Sequence, residues 1–72
     1  MAKRLDWQPV GPVRRARLPN GCFVDHATAR AHYTYGHSYG VWRPGAGERG
    51  IAACVGFGDT LAAALQMAGF AV

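Results

Sequence analysis

One stretch constrains the fold more than any other part of the chain: the residues from Gly50 to Gly69. It predicts a short apolar strand over 51–55, a turn at Gly56-Phe57-Gly58, and a helix. Leucine and alanine stand at positions 61, 64, 65 and 68, the spacing of one helix face. The segment therefore predicts a helix over residues 60–69 that follows directly on a buried strand.

The predicted helix has recognisable ends but an unusual outer face. Asp59 or Thr60 can cap its first turn, and Gly69 stands where a left-handed residue commonly ends a helix. Residues 60–72 carry no charged side chain, whereas a helix face in water normally carries Lys or Glu. We therefore expect a homodimer with helix facing helix, because an uncharged patch usually marks an interface. The predicted dimer-interface residues are Ala62, Ala63, Gln66 and Phe70.

Size and charge limit the class of protein. The chain of 72 residues is enough for one small domain, 1–72, in which we expect residues 1–4 to be a frayed, charged arm. Eight Lys and Arg residues against four Asp and Glu give a net charge of +4. This balance favours anionic partners, nucleic acid first, although a merely soluble basic protein would show it too.

The cysteines and the apolar segments predict a compartment. Cys22 and Cys54 are too few for a disulfide scaffold, so we expect reduced core thiols, with one disulfide between neighbouring strands as the alternative. The first seven residues lack the apolar run of a signal peptide. A membrane span over 51–72 would place Asp59 near the bilayer centre at about 2.5–3.5 kcal/mol. We expect a cytoplasmic, soluble protein.

The segment around Pro19-Asn20-Gly21 predicts a β-hairpin with a definite register. A two-residue loop would place the Asp25 carboxylate on the apolar face. A three-residue loop pairs Ala16 with Val24 and Arg15 with Asp25, which separates apolar from charged side chains. We therefore predict the longer loop, a type I turn at Pro19-Asn20 with Gly21 left-handed.

The other segments predict further strands. Apolar and β-prone residues indicate a first strand over 5–10 with Trp7 pointing inward, ended by Gly11-Pro12. Residues 27–31 predict a link or a helical turn, 36–38 a bend, and 44–50 a glycine-rich hairpin loop. The remaining predicted strands are 32–35, 39–43 and 51–55. Strands followed by one helix predict an α+β fold: a small antiparallel sheet of four or five strands with one C-terminal helix packed on one face.

The residue spacings do not support catalytic or metal chemistry. Leu61 occupies the third glycine position of a dinucleotide-binding loop, and Asp59 would repel an anion there. Cys22 and His26 would share a strand face about 13 Å apart, too far for one zinc ion. No spacing joins an acid or base to a nucleophile. We expect a non-catalytic protein with no metal and no cofactor.

Arginine and aromatic residues are interleaved along the chain. Arginine forks suit phosphate, and exposed rings on a sheet can stack bases. The predicted nucleic-acid-binding residues are Arg14, Arg15, Arg17, Arg30, Tyr33, Tyr35, His37 and Arg43. The other use of the rings would be to cover the second face of the sheet, in a core or a dimer contact.

Gly58-Asp59-Thr60-Leu61 and the helix after it resemble the Gly-Asp-Thr segment of HicB-type antitoxin domains, which have a small sheet-plus-helix fold. The resemblance covers about a quarter of the chain. Ala63 and Ala64 stand where that family has an acidic helix residue, and its Pro-Gly-Cys strand end is absent. The resemblance therefore assigns no functional residue.

Two functional hypotheses remain. The first is a small basic binding protein that docks nucleic acid through an arginine and aromatic sheet surface. The second is a phage- or plasmid-type protein-interaction module, inhibitor or antitoxin-like, that blocks a larger protein partner.

Overall fold

A computed structural model describes residues 5–70; the predicted frayed arm at 1–4 lies outside them. The described chain forms a five-stranded antiparallel sheet in the order β1-β2-β3-β4-β5, with one α-helix, α1. The predicted α+β fold is confirmed, with α1 packed on one face of β4 and β5. The elements are β1 Gln8–Val10, β2 Val13–Arg17, β3 Phe23–His26, β4 Tyr39–Arg43, β5 Ala53–Gly58 and α1 Leu61–Met67.

The hydrophobic core lies between the sheet and α1, and its side chains are small. Val24 and Val41 are the largest fully buried side chains. Ala16 from the sheet and Ala64 and Leu65 from the helix complete the buried cluster. Larger, partly buried residues surround it: Leu5, Trp7, Leu18, Tyr39, Val55, Leu61 and Phe70. The core depends on a helix that lies close to the sheet, since such side chains cannot fill a wide gap.

Two glycines in β5 permit that close approach. A Cβ at Gly56 would overlap the carbonyl oxygen of Ala64 and lie 2.9 Å from the Cβ of Ala68. A Cβ at Gly58 would lie 2.8 Å from the Cβ of Ala63. The helix therefore packs directly against strand backbone. This explains why the predicted turn at 56–58 is wrong: both glycines belong to a strand, where glycine can mark the close approach of another backbone.

The β2–β3 hairpin has the predicted register. Ala16 pairs with Val24, Arg15 with Asp25, and Arg17 with Phe23. The loop has the predicted three residues, since the N–H of Leu18 bonds to the carbonyl of Cys22, and Gly21 has the predicted positive φ, 75°. Asn20 also has a positive φ of 65°, so Pro19-Asn20 is not the predicted type I turn, whose central residues both have negative φ.

The β3–β4 connection replaces the predicted strand over 32–35. Arg30–His32 forms a 3₁₀ turn, and Thr34 and His37 pair with each other across a tight turn at Tyr35-Gly36. The turn precedes the predicted bend at 36–38 by one residue. β4 pairs directly with β3, so the sheet has no position for a strand between them.

The other boundaries follow from the same packing. The strand predicted over 51–55 begins at Ala53 and runs on to Gly58, and the carbonyl of Ile51 accepts a hydrogen bond from the N–H of Gly47 in the loop before it. β4 has its predicted bounds, whereas β1 is shorter than the predicted 5–10. Trp7 packs against the core, as predicted.

The ends of α1 use the predicted caps. The Thr60 hydroxyl accepts a hydrogen bond from the N–H of Ala63 at 3.2 Å. At the other end the N–H of Phe70 bonds to the carbonyl of Leu65 and that of Gly69 to Gln66, the Schellman arrangement. These caps lie just outside α1, which is therefore shorter than the predicted 60–69. Within residues 5–70, no helix is long and apolar enough to cross a membrane.

The hairpin turn provides a first test. We expect Gly21→Val to lower the free energy of unfolding by about 1 kcal/mol or more, because a β-branched residue is strained at positive φ. Gly21→Asn is the control, since asparagine tolerates this conformation. Thermal unfolding measures both. Equal melting temperatures for the two variants would contradict the turn geometry.

The strand–helix contact provides a second test. We expect Gly56→Ala to lower the free energy of unfolding by about 2–3 kcal/mol, because the added methyl meets helix backbone that cannot rotate away. Gly45→Ala is the control: it adds the same methyl in open space at a φ of 76° and should cost about 1 kcal/mol. Urea unfolding gives both values. A loss at Gly56 no larger than that at Gly45 would show that the helix can move away from β5.

Candidate nucleic-acid interface

The face of the sheet opposite α1 carries charged and aromatic side chains. Successive residues of a strand point to opposite faces, and Ala16, Val24 and Val41 point toward the helix. Their strand neighbours therefore point away from it. We call this surface the open face, and its residues are Gln8, Arg15, Arg17, Phe23, Asp25, Trp42 and Phe57.

Arg15 holds the centre of the open face. Its Nε lies 2.7 Å from Oδ1 of Asp25 and its Nη2 3.1 Å from Oδ2, a two-point ion pair. The same guanidinium lies 4.2 Å from the centroid of the Phe23 ring. The hydrogen bond to Asp25 raises the pKa of Arg15 against the opposing effect of partial burial. Arg15 therefore stays charged, but most of its charge is neutralised by its neighbour.

Arg17 is the free arginine of the open face. It is exposed at the end of β2, and no carboxylate within residues 5–70 lies within 4.0 Å of it. With Phe23 and Leu18 it lines a shallow cleft of about 340 Å³. Arg17 is therefore free to bind an anion, whereas Arg15 is already paired with Asp25.

The β3–β4 connection folds over the other end of the open face. Gly40 has no side chain, and Thr34 occupies the space where one would lie. The Cβ of Thr34 is 2.7 Å from the position that a Cβ on Gly40 would take. The Tyr35 ring lies 5.4 Å from the Phe57 ring, and the His37 ring stacks on Phe57 at 5.1 Å. Tyr35 is 72% exposed. An aromatic group with an accessible ring thus stands on the same face as Arg17.

An ion pair anchors this connection to the start of α1. His37 Nδ1 lies 3.1 Å from Oδ1 of Asp59, and the Ser38 hydroxyl donates to the Asp59 carbonyl at 3.3 Å. The His37 ring is therefore held between Asp59 and Phe57. The sequence predicts Asp59 as a candidate helix cap and does not predict its contact with His37.

Arg14 lies on the opposite side of the sheet from Arg15 and Arg17. It pairs with His26 on the helix face, beside a cleft of about 210 Å³ lined also by Trp7, Tyr39 and Leu61. The His26 and Tyr39 rings stack at 4.2 Å, and Trp7 meets both edge-on. Sequence reasoning missed this aromatic cluster, although it predicted that one member, Trp7, points inward.

The structure thus brings together only part of the predicted binding set. Arg15, Arg17, Tyr35 and His37 share the open face with Phe23 and Phe57. Arg43 follows Trp42 and so points to the helix face, where it is exposed. Arg30 is exposed on the β3–β4 connection and Tyr33 is half-buried there, neither on a strand.

The residues predicted for a dimer interface lie in two environments. Ala62, Ala63 and Gln66 are exposed on α1. Phe70 is half-buried and packs against the core cluster, while residues 71 and 72 lie outside the described chain. The dimer role of these residues stays a prediction.

The cysteines are free thiols, Cys22 buried and Cys54 half-buried. Burial raises the pKa of the Cys54 thiol, the opposite of what a nucleophilic cysteine needs. Within residues 5–70, no three His, Cys, Asp or Glu side chains are grouped to hold a metal ion.

Comparison of the chain with protein-family models, curated proteins and solved structures found no match. The local resemblance at Gly58–Leu61 therefore remains a resemblance of one segment.

The Arg15–Asp25 pair gives a test of the open face. We expect Asp25→Asn to lower the free energy of unfolding by about 1 kcal/mol, because the pair loses charge but is partly screened by solvent. Asp6→Asn removes an exposed carboxylate that has no arginine partner among the described residues and should change stability by less than about 0.5 kcal/mol. Urea unfolding compares them. Equal effects of the two substitutions would show that the pair does not stabilise the sheet.

Proposed function

We propose that this protein binds nucleic acid through the open face and performs no catalysis. The observation that carries the proposal is the position of Arg17, an unpaired arginine on the same sheet face as the exposed ring of Tyr35. Arginine can bind a phosphate while an aromatic ring stacks a base, which together hold a nucleic acid strand.

The charge distribution supports an anionic partner. The chain carries a net charge of +4. On the open face, Asp25 is already engaged by Arg15, so it does not oppose an approaching phosphate. Beyond that pair, several exposed arginines have no carboxylate within 4.0 Å in the described part of the chain. They are Arg14, Arg17, Arg30, Arg43 and Arg49.

The shape of the protein favours a single strand over a duplex. A recognition helix reads base edges in the major groove of DNA. α1 has seven residues and no charged side chain, and one of its faces is committed to the core. A sheet face with accessible rings instead suits unpaired bases, which can lie flat against it.

Fluorescence anisotropy with labelled strands of ~12 nucleotides, within the usual range of site sizes, tests this proposal. We expect binding to DNA or RNA that weakens steeply as salt rises, because phosphate contacts release counterions. Arg17→Ala should reduce the slope of log K against log salt by about 0.7, the value of one phosphate contact to a single strand. Arg14→Ala is the matched control, since it removes the same charge from the helix face and should leave the slope unchanged.

The stacking contact has its own test in the same assay. Tyr35→Ala should weaken binding by about 1–3 kcal/mol, the usual contribution of a stacked base, while Tyr35→Phe keeps the ring and should retain affinity. Equal reductions of the salt slope by Arg14→Ala and Arg17→Ala would show that nucleic acid does not bind at the open face.

The alternative function is a protein-interaction module, such as a phage- or plasmid-type inhibitor that blocks a larger protein. Both functions use an exposed surface without a catalytic group. They differ in what the arginines contact. If no strand or duplex binds at about 50 mM salt, where phosphate contacts are strong, the nucleic-acid proposal is wrong and the interaction module is favoured.

A further inference from the structure

The two outer edges of the sheet differ in how they are protected against pairing with another strand. β1 has three residues, and one of them, Pro9, has no N–H to donate. β5 has six residues, Ala53–Gly58, with no proline and no charged side chain. Natural sheets protect their edges with short strands, prolines and charges. β1 has the first two of these, whereas β5 has none of the three; its one irregularity is a bulge at Val55, where the pairing with β4 shifts register between Val41 and Trp42.

The outward backbone groups of β5 lack strand partners. β5 is the last strand of the sheet, and its inner side pairs with β4. The turn and loop hydrogen bonds within residues 5–70 do not involve the backbone of Ala53–Gly58, and only the Gly56 carbonyl accepts a side-chain bond, from Cys54 Sγ at 3.3 Å. The outer edge of β5 therefore presents donors and acceptors in the pattern that another strand completes.

Exposed apolar side chains border this edge. Ala63 lies on the β5 side of α1, because its Cβ is the atom that a side chain at Gly58 would meet. Met67 follows one helical turn later on the same flank and is 55% exposed. Ile51, just before β5, is 64% exposed. The strand and these three bordering residues are uncharged, which is unusual for a surface in water, and Asp59, which follows the strand, is paired with His37.

We propose that β5 pairs antiparallel with β5 of a second copy of this chain, around a two-fold axis perpendicular to the sheet. Such pairing joins the two sheets into one and places both α1 helices on the same side. It buries Ala63, Met67 and Ile51 next to the paired β5 strands. The inference is independent of the nucleic-acid proposal, because it uses neither the open face nor its arginines.

The chemistry of the edge identifies a second copy as the occupant. Antiparallel pairing of a strand with itself is self-complementary, since each residue pair recurs across the axis. The chain carries a net charge of +4, but this edge is neutral, so two copies meet there without bringing charges of β5 together. Assembly stops at two, because the remaining edges are the protected β1 strands. A peptide from another protein would pair with β5 but would not add a second set of the bordering residues Ala63, Met67 and Ile51.

This dimer differs from the helix-to-helix dimer predicted from the sequence. Consecutive helix residues are 100° apart, so Ala62 lies away from the flank that carries Ala63. Leu61, which precedes it, lines the cleft with Trp7 and Arg14 over β2 and β3. Substitution of Ala62 therefore separates the two kinds of dimer.

Two measurements on the full-length protein test the proposal. Sedimentation should give twice the chain mass of 7.7 kDa. Amide hydrogen exchange followed by NMR should show slow exchange at every amide from Cys54 to Phe57. In an unpaired edge strand the amides that point outward exchange fast. A monomer, or a dimer in which outward-pointing amides of β5 still exchange fast, would overturn the proposal.

Variants locate the interface. Ile51→Lys with Met67→Lys should raise the dissociation constant of the dimer about tenfold or more, because each copy then places like charges beside the joint. Val10→Lys, also at an exposed apolar residue but on the β1 edge, is the matched control and should leave it unchanged, as should Ala62→Glu. Circular dichroism confirms that each variant folds. Dissociation by Val10→Lys or Ala62→Glu equal to that of the double variant would refute β5 pairing.

Discussion

The direct contact between α1 and the backbone of β5 is the constraint on which the rest of this structure depends. Gly56 and Gly58 provide a strand surface without side chains, and the alanines of α1 lie against it. This short separation brings Leu65 onto Val24 and Val41, the centre of the core. A domain of this size has a total stability of only about 5 kcal/mol, so a helix raised by even one methyl group would leave much of that core incompletely covered.

Local patterns predicted the parts of the fold that local chemistry determines. The alternation of apolar and charged residues in the β2–β3 hairpin gave its register, and β4 had its predicted bounds. The caps of α1 were also visible in the sequence. The turn predicted at 56–58 was wrong because glycine both favours turns and permits close packing of another backbone. Only the position of the helix distinguishes the two cases. The segment over 32–35 failed because a β-prone composition cannot tell whether a neighbouring strand is available.

In the candidate site, too, local patterns predicted some contacts, whereas others depend on tertiary packing. The hairpin register predicted that Arg15 meets Asp25 and that Arg17 lies on the same face, and the structure confirms that pairing. Grouping Arg14 and Arg43 with them disregarded strand alternation, which places both on the helix face. The aromatic contacts of Tyr35 and His37 with Phe57 depend on how the β3–β4 connection folds across Gly40. A glycine within a strand pattern was the one available sign of that crossing.

The conformation of Tyr35 has a consequence for any partner that touches it. A bulky residue rarely adopts a φ of 50°, and here the paired Thr34 and His37 and the Phe57 ring hold it in place. The backbone that carries the ring is therefore already fixed, and the ring is exposed to solvent on one side and contacts Phe57 on the other. A flexible side chain would lose about 0.5–1.5 kcal/mol of conformational entropy on becoming fixed in an interface. The contact of Tyr35 with Phe57 is made during folding and lowers this cost, so more of the free energy of a contact with a partner contributes to affinity.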